Sequence, residues 1–118
     1  MGKEFIYIFI GGGAGSVLRY TVQSLLHERI VPYHFPWATF LVNLLGSFLI
    51  GLFYTLSERL HFSTEVRLFL TVGICGGFTT FSTFSNDGVA LLKGGFYGTF
   101  FLYTLLSVGI GIAATMAG

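Results

Sequence analysis

Four long apolar runs alternate with short polar joints along this chain of 118 residues. The runs cover about residues 5–26, 37–56, 66–92 and 95–117, and each is long enough to cross the hydrocarbon core of a bilayer as a helix. Pro32 and Pro36 mark the first joint, and the remaining joints are short. The pattern predicts an all-α membrane protein, a single four-helix transmembrane domain over residues 1–118, with both termini on the same side. There is no internal repeat and no room for a second domain. The N-terminal run reads as the first span rather than a cleaved signal, since three more follow it.

One stretch disturbs this pattern. Gly76-Gly77-Phe78-Thr79-Thr80-Phe81-Ser82-Thr83-Phe84-Ser85 lies inside the third run. Adjacent glycines loosen a helix, and hydroxyls in hydrocarbon are costly without partners. Irregular backbone at membrane depth is tolerated where protein covers it or where it lines a cavity. The third helix is therefore expected to break near the midplane, around Thr79, the midpoint of residues 66–92.

Composition agrees with the membrane assignment. The chain is 53% hydrophobic and 9% charged, against about 25% charge in soluble domains, and its mean hydropathy is +0.80. A net charge of +1 offers no field for nucleic acid. Cys75 is the only cysteine, so an intrachain disulfide is excluded; it reads as a small buried hydrophobe. His27, His34 and His61 form no metal or catalytic spacing, which argues against an enzyme. The Gly11–Gly15 run lacks the Gly-Lys-Ser/Thr ending of a phosphate loop.

Small residues four apart recur: Gly11 and Gly15, Ser47 and Gly51, Gly73 and Gly77, Gly94 and Gly98, Ser107 and Gly111. Such pairs allow helices to approach closely. Basic residues barely distinguish the two sides. Lys3, Arg59 and Arg67 face Arg29 and Lys93, with Arg19 joining the second group if it counts at all. Orientation normally follows a Lys/Arg excess on the cytoplasmic side. Insertion in both orientations, and hence an antiparallel homodimer, competes here with a single orientation fixed by one charge. Oligomerisation is expected in either case, because four helices can hardly enclose a polar pathway while burying their own polar residues.

Several polar positions fall inside the runs. Arg19, past the middle of the first, either opens a cationic vestibule or snorkels to the headgroups. Asn43, central in the second, either joins two helices or donates to a passing anion. Tyr103, Ser107, Gly111 and Thr115 share one face of the fourth, as a packing face or a polar track. Phe81 and Phe84 share a face of the third; their ring edges are electropositive, though plain packing is the common use of such a pair. Carbonyls freed at Gly76–Thr79 could hold a dehydrated cation, as unwound transporter helices do. In an antiparallel dimer, midplane groups are the ones that meet their own copies on the two-fold axis. Glu58, Glu65 and Asp87 are placed near span ends, so no carboxylate is expected deep in a span. The inventory favours an anion, and stops at a small anion or small polar solute in an oligomeric pore.

The Gly76–Ser85 stretch resembles the signature of the bacterial fluoride channel family, the Fluc-type or CrcB-like channels. Asn43 in Val42-Asn43-Leu44-Leu45-Gly46-Ser47-Phe48, and the glycine-rich first run with Arg19, are also similar. The resemblance covers essentially the whole chain. It implies an antiparallel, dual-topology homodimer in the bacterial cell membrane, with two pores that export fluoride passively and relieve its toxicity. It implies that Phe81 and Phe84 line the pore, with Asn43, Thr83, Tyr103 and Ser107 as polar contacts. Thr115 joins them by spacing alone, and Arg19 sits in the vestibule. It also implies a structural sodium ion at the dimer interface, held by the backbone carbonyls of Gly76 and Thr79. Two rivals stand beside it. A small dual-topology multidrug exporter needs a membrane-embedded glutamate, and Glu4 is the nearest acid. A non-transporting membrane scaffold predicts no ion flux.

Overall fold

The computed structural model describes residues 2–27 and 35–118, with the side chains of Leu26 and His27 outside the description. Arg29, Pro32 and His34 lie outside the described residues. Among those described, every regular element is helical and there is no strand. Four helical runs are long and apolar enough to span a membrane: Gly2–Leu25, Trp37–Leu60, Thr64–Lys93 and Tyr97–Ala117.

Helix α1 covers Gly2–His27, with Glu4 in its first turn, where a carboxylate suits the helix dipole. Helix α2 covers Trp37–Leu60. It ends where His61 turns left-handed (φ 54°, ψ 51°) and Phe62 N–H donates to Ser57 O at 3.2 Å, a closing pattern that satisfies the last carbonyls. The third run is composite. It contains α3 (Thr64–Leu68), a π-helical stretch (Phe69–Cys75), α4 (Gly76–Phe78) and α5 (Phe81–Lys93). Ser63 caps α3 by accepting from Val66 N–H at 3.2 Å. Thr80 caps α5 by accepting from Thr83 N–H, also at 3.2 Å. Helix α6 covers Tyr97–Ala117.

The helices differ from the sequence limits at their ends. Helix α2 runs one turn past residue 56, because Ser57-Glu58-Arg59-Leu60 continue it beyond the apolar stretch. The third run begins at Thr64, where Ser63 caps it. Helix α6 starts at Tyr97 rather than at residue 95, because Gly95 adopts φ 81°, a turn conformation that glycine allows.

Two backbone seams hold the bundle. Helix α1 lies along the π-helical stretch and α4; a Cβ on Gly11 would sit 2.6 Å from Phe69 O and 3.0 Å from Gly73 Cα. Helix α2 lies along α6, where Gly51 abuts the Thr115 carbonyl. Among the described residues nothing comes within 4 Å of a Cβ on Gly98, so the Gly94/Gly98 pair forms no seam with them. A small core of Phe35, Phe40, Leu91 and Tyr103 closes one end. Elsewhere the outer faces are apolar and open: Phe9 and Met116 are each 82% exposed, and α6 fully buries only Tyr103. Such faces suit lipid or another protein surface.

Candidate functional site

The departure from regular helix in the third run is small and local. Thr79 (φ −83°, ψ 157°) and Thr80 (φ −150°, ψ 117°) are extended. Extended residues cannot continue the i to i+4 ladder, so the backbone groups around them need other partners. Thr79 satisfies Cys75 O twice, through its N–H and through Oγ1, both at 2.9 Å. Asn43 on α2 pairs with both sides of Thr80. Its Oδ1 accepts from Thr80 N–H at 2.8 Å, and its Nδ2 donates to Thr80 O at 3.1 Å. Arg19 Nε on α1 donates to Gly77 O at 3.1 Å. Among the described residues, no side-chain donor reaches the carbonyl of Gly76 or Thr79.

A groove of about 360 Å³ runs beside this pair, lined in part by Asn43, Gly76, Thr79, Phe81, Phe84 and Ser107. Phe81 is 78% exposed. Its ring centroid is 5.7 Å from that of Phe84, at 43°, and Phe84 in turn lies 5.1 Å from Tyr103, at 44°. Ser107 Oγ is buried with no hydrogen-bond partner among the described residues. An orphaned hydroxyl on the wall of a groove is a donor available to a ligand. Phe78 is buried in the bundle, 5% exposed, apart from the ring pair.

On the other side of α5 a second cavity, of about 440 Å³, is lined by Tyr20, Gln23, Thr39, Thr83 and Asp87 among others. Thr83 faces this cavity rather than the groove and accepts from Thr80 Oγ1 at 3.1 Å. Tyr103, fully buried, donates to Asp87 Oδ2 at 3.4 Å, and Thr39 hydrogen-bonds to the same carboxylate. Asp87 is thus partly buried against the core, six residues before the end of its span at Lys93, near the span end where the sequence reading put it.

Asn43, Phe81, Phe84, Ser107, Gly76 and Thr79 are brought to one groove, with Tyr103 behind Phe84. Thr115 is elsewhere. Its hydroxyl lies 3.0 Å from Ser47 O and 3.1 Å from Gly111 O, in the α2–α6 seam. Thr80, which sequence reasoning did not single out, is where the local bonds converge. Among the described residues no group of three or more His, Cys, Asp or Glu could hold a metal.

Comparison with known proteins identifies the family. The family model described as "CrcB-like protein, Camphor Resistance (CrcB)" matches residues 6–118. The chain is 60% identical over 118 residues to the "Fluoride-specific ion channel FluC" of Bacteroides fragilis, covering 98% of this chain and 93% of that relative. It is 53% identical over 116 residues to the protein of the same description from Phocaeicola vulgatus, covering 98% and 95%. With Flavobacterium psychrophilum the identity is 45% over 117 residues, covering 98% and 94%. The chain belongs to the CrcB family.

Proposed function

We propose that this chain, as a member of the CrcB family, is a multi-pass bacterial membrane channel, not an enzyme, that lets fluoride leave the cytoplasm passively. The observation that carries this reading is the groove at Thr79–Thr80. It combines an unpartnered hydroxyl, a side-chain amide with a donor to spare, and a pair of phenylalanine rings. Asn43 commits one N–H of its two to Thr80 O, so the other remains for a ligand. Ring edges are electropositive and favour an anion without binding it as tightly as a full charge would. Conduction needs that balance, because an ion must be able to leave.

Passive movement is sufficient for export. Hydrogen fluoride crosses the membrane as a neutral acid, ionises inside and is trapped there as the anion. A membrane potential negative inside drives a monovalent anion outward by about 2.3 kcal/mol per 100 mV. Relief of fluoride toxicity follows from the leak alone.

The working unit is an antiparallel, dual-topology homodimer, with Thr79–Thr80 as a helix break near the membrane midplane. The near-even basic residues and the open apolar faces support this. Phe81, Phe84, Asn43, Ser107 and Tyr103 act along the pore. Thr83 acts on the vestibule side. The carbonyls of Gly76 and Thr79 are the groups that would hold a sodium ion between two copies. The fit is supported by the local hydrogen bonding: the neighbouring carbonyls of Cys75, Gly77 and Thr80 already have donors within the chain. A sodium ion there supplies positive charge and ties the two copies together.

The test is efflux from liposomes holding the purified protein, with fluoride and chloride followed side by side. Fast fluoride release with little chloride release is expected. Release of neither ion from folded protein would refute the channel.

A further inference from the structure

The position of Arg19 follows from a single face of α1. Gly12 abuts Gly77, and Gly15 abuts Ile74 and Phe78. Arg19 lies seven residues beyond Gly12 and four beyond Gly15, on the face that follows the third run. Its side chain therefore arrives at α4, and the atom that makes the bond is Nε, 3.1 Å from Gly77 O. In a continuous helix Gly77 O would accept from the N–H four residues on, at Phe81. The extended pair Thr79–Thr80 carries that N–H away, and a carbonyl left without a donor is costly. Beyond the pair, Asn43 grips both polar groups of Thr80. The two extended residues are thus held before and after by side chains from two other helices.

We infer that Arg19 is a positioning residue whose Nε–H, rather than whose charge, holds the extended pair in place. The bond clamps the end of α4. It keeps the Gly77 carbonyl engaged while those of Gly76 and Thr79 stay open, and it sets where α5 begins with Phe81 and Phe84. This role rests on the pore reading only for its effect on flux; the effect on backbone protection is independent of it.

Two substitutions separate the donor from the charge. Arg19→Gln places Nε2, a neutral N–H donor, the same number of bonds from Cα as arginine Nε. Arg19→Lys keeps the charge but puts a methylene there, with its ammonium one bond farther out. Fluoride efflux from liposomes and amide hydrogen exchange over residues 79–84 are measured for both. Arg19→Gln is expected to stay within about threefold of the parent in both readouts. Arg19→Lys is expected to lose about tenfold in flux, with exchange faster by a similar factor, the effect of one hydrogen bond. Retained flux in Arg19→Lys with loss in Arg19→Gln would overturn the inference in favour of a vestibule charge. Two unaffected variants would overturn it as well. If both lose flux, exchange decides: normal protection in Arg19→Gln supports positioning, and equal acceleration in the two refutes it. A parent protein that fails to pass fluoride would count against the channel and leave the exchange comparison intact.

Discussion

Ser107→Ala separates conduction from folding, because its effects on the two have opposite sign. Ser107 Oγ is buried and has no partner among the described residues. A buried polar group left unsatisfied costs about 1–3 kcal/mol, so removing it is expected to leave the folded chain as stable as before or more so. Ser107 also lines the groove, and on the channel reading its hydroxyl donates to the passing anion. A hydrogen bond to a charged group contributes about 1.5–3 kcal/mol, and each 1.4 kcal/mol is tenfold. Losing that contact should slow fluoride between roughly tenfold and a hundredfold. The assay pairs fluoride efflux from liposomes with thermal unfolding of the same preparation in detergent. Slow flux with an unchanged or raised unfolding temperature is the expected result. Parent-level flux would remove Ser107 from the pathway. Slow flux with a lowered unfolding temperature would mean that the hydroxyl supports the fold instead.

Phe81→Ile and Phe84→Ile should each cut fluoride efflux, and the second should lower stability more, by roughly a further 0.5–1.5 kcal/mol for the lost Tyr103 ring contact; unchanged flux in both would remove the ring-edge argument. Gly51→Ala drives a Cβ into the Thr115 carbonyl and should cost about 1–3 kcal/mol in unfolding measurements, as overpacking does; an unchanged unfolding temperature would refute the α2–α6 seam. Exchange of sodium for a bulky organic cation should loosen the dimer or reduce flux. Intact dimer and flux, with sodium shown to be gone by elemental analysis, would refute the central cation.

The four spans were legible because hydrophobic periodicity and length are one-dimensional properties. The caps were legible in principle, as Ser63 and Thr80 each precede a helical run. The π-helical stretch Phe69–Cys75 was not, since nothing in residue type distinguishes an i to i+5 register from the ordinary one. Asn43 was left between a structural bond and an anion donor, and the structure has it bonded through one Nδ2 hydrogen and Oδ1. Arg19 was left between a vestibule charge and snorkelling, and its bond to a carbonyl 58 residues away is a long-range contact that residue type does not announce.

The groove also bears on why one chain would not suffice. Fluoride holds its water strongly, so a pore must replace that water with several donors while excluding solvent. Within the groove one chain offers Ser107 Oγ, one Asn43 N–H and ring edges, and Phe81 stands 78% exposed beside them. A groove open along one side keeps the ion hydrated, and a hydrated ion gains little from selective donors. A second apolar wall would expel that water and strengthen each contact. The wide apolar exposure of this chain provides such a wall in a second copy. If that copy is inverted, the carbonyls of Gly76 and Thr79 meet their counterparts rather than lipid. The same surface would then close the pore, and a cation between the facing carbonyls would satisfy acceptors that no side-chain donor among the described residues reaches.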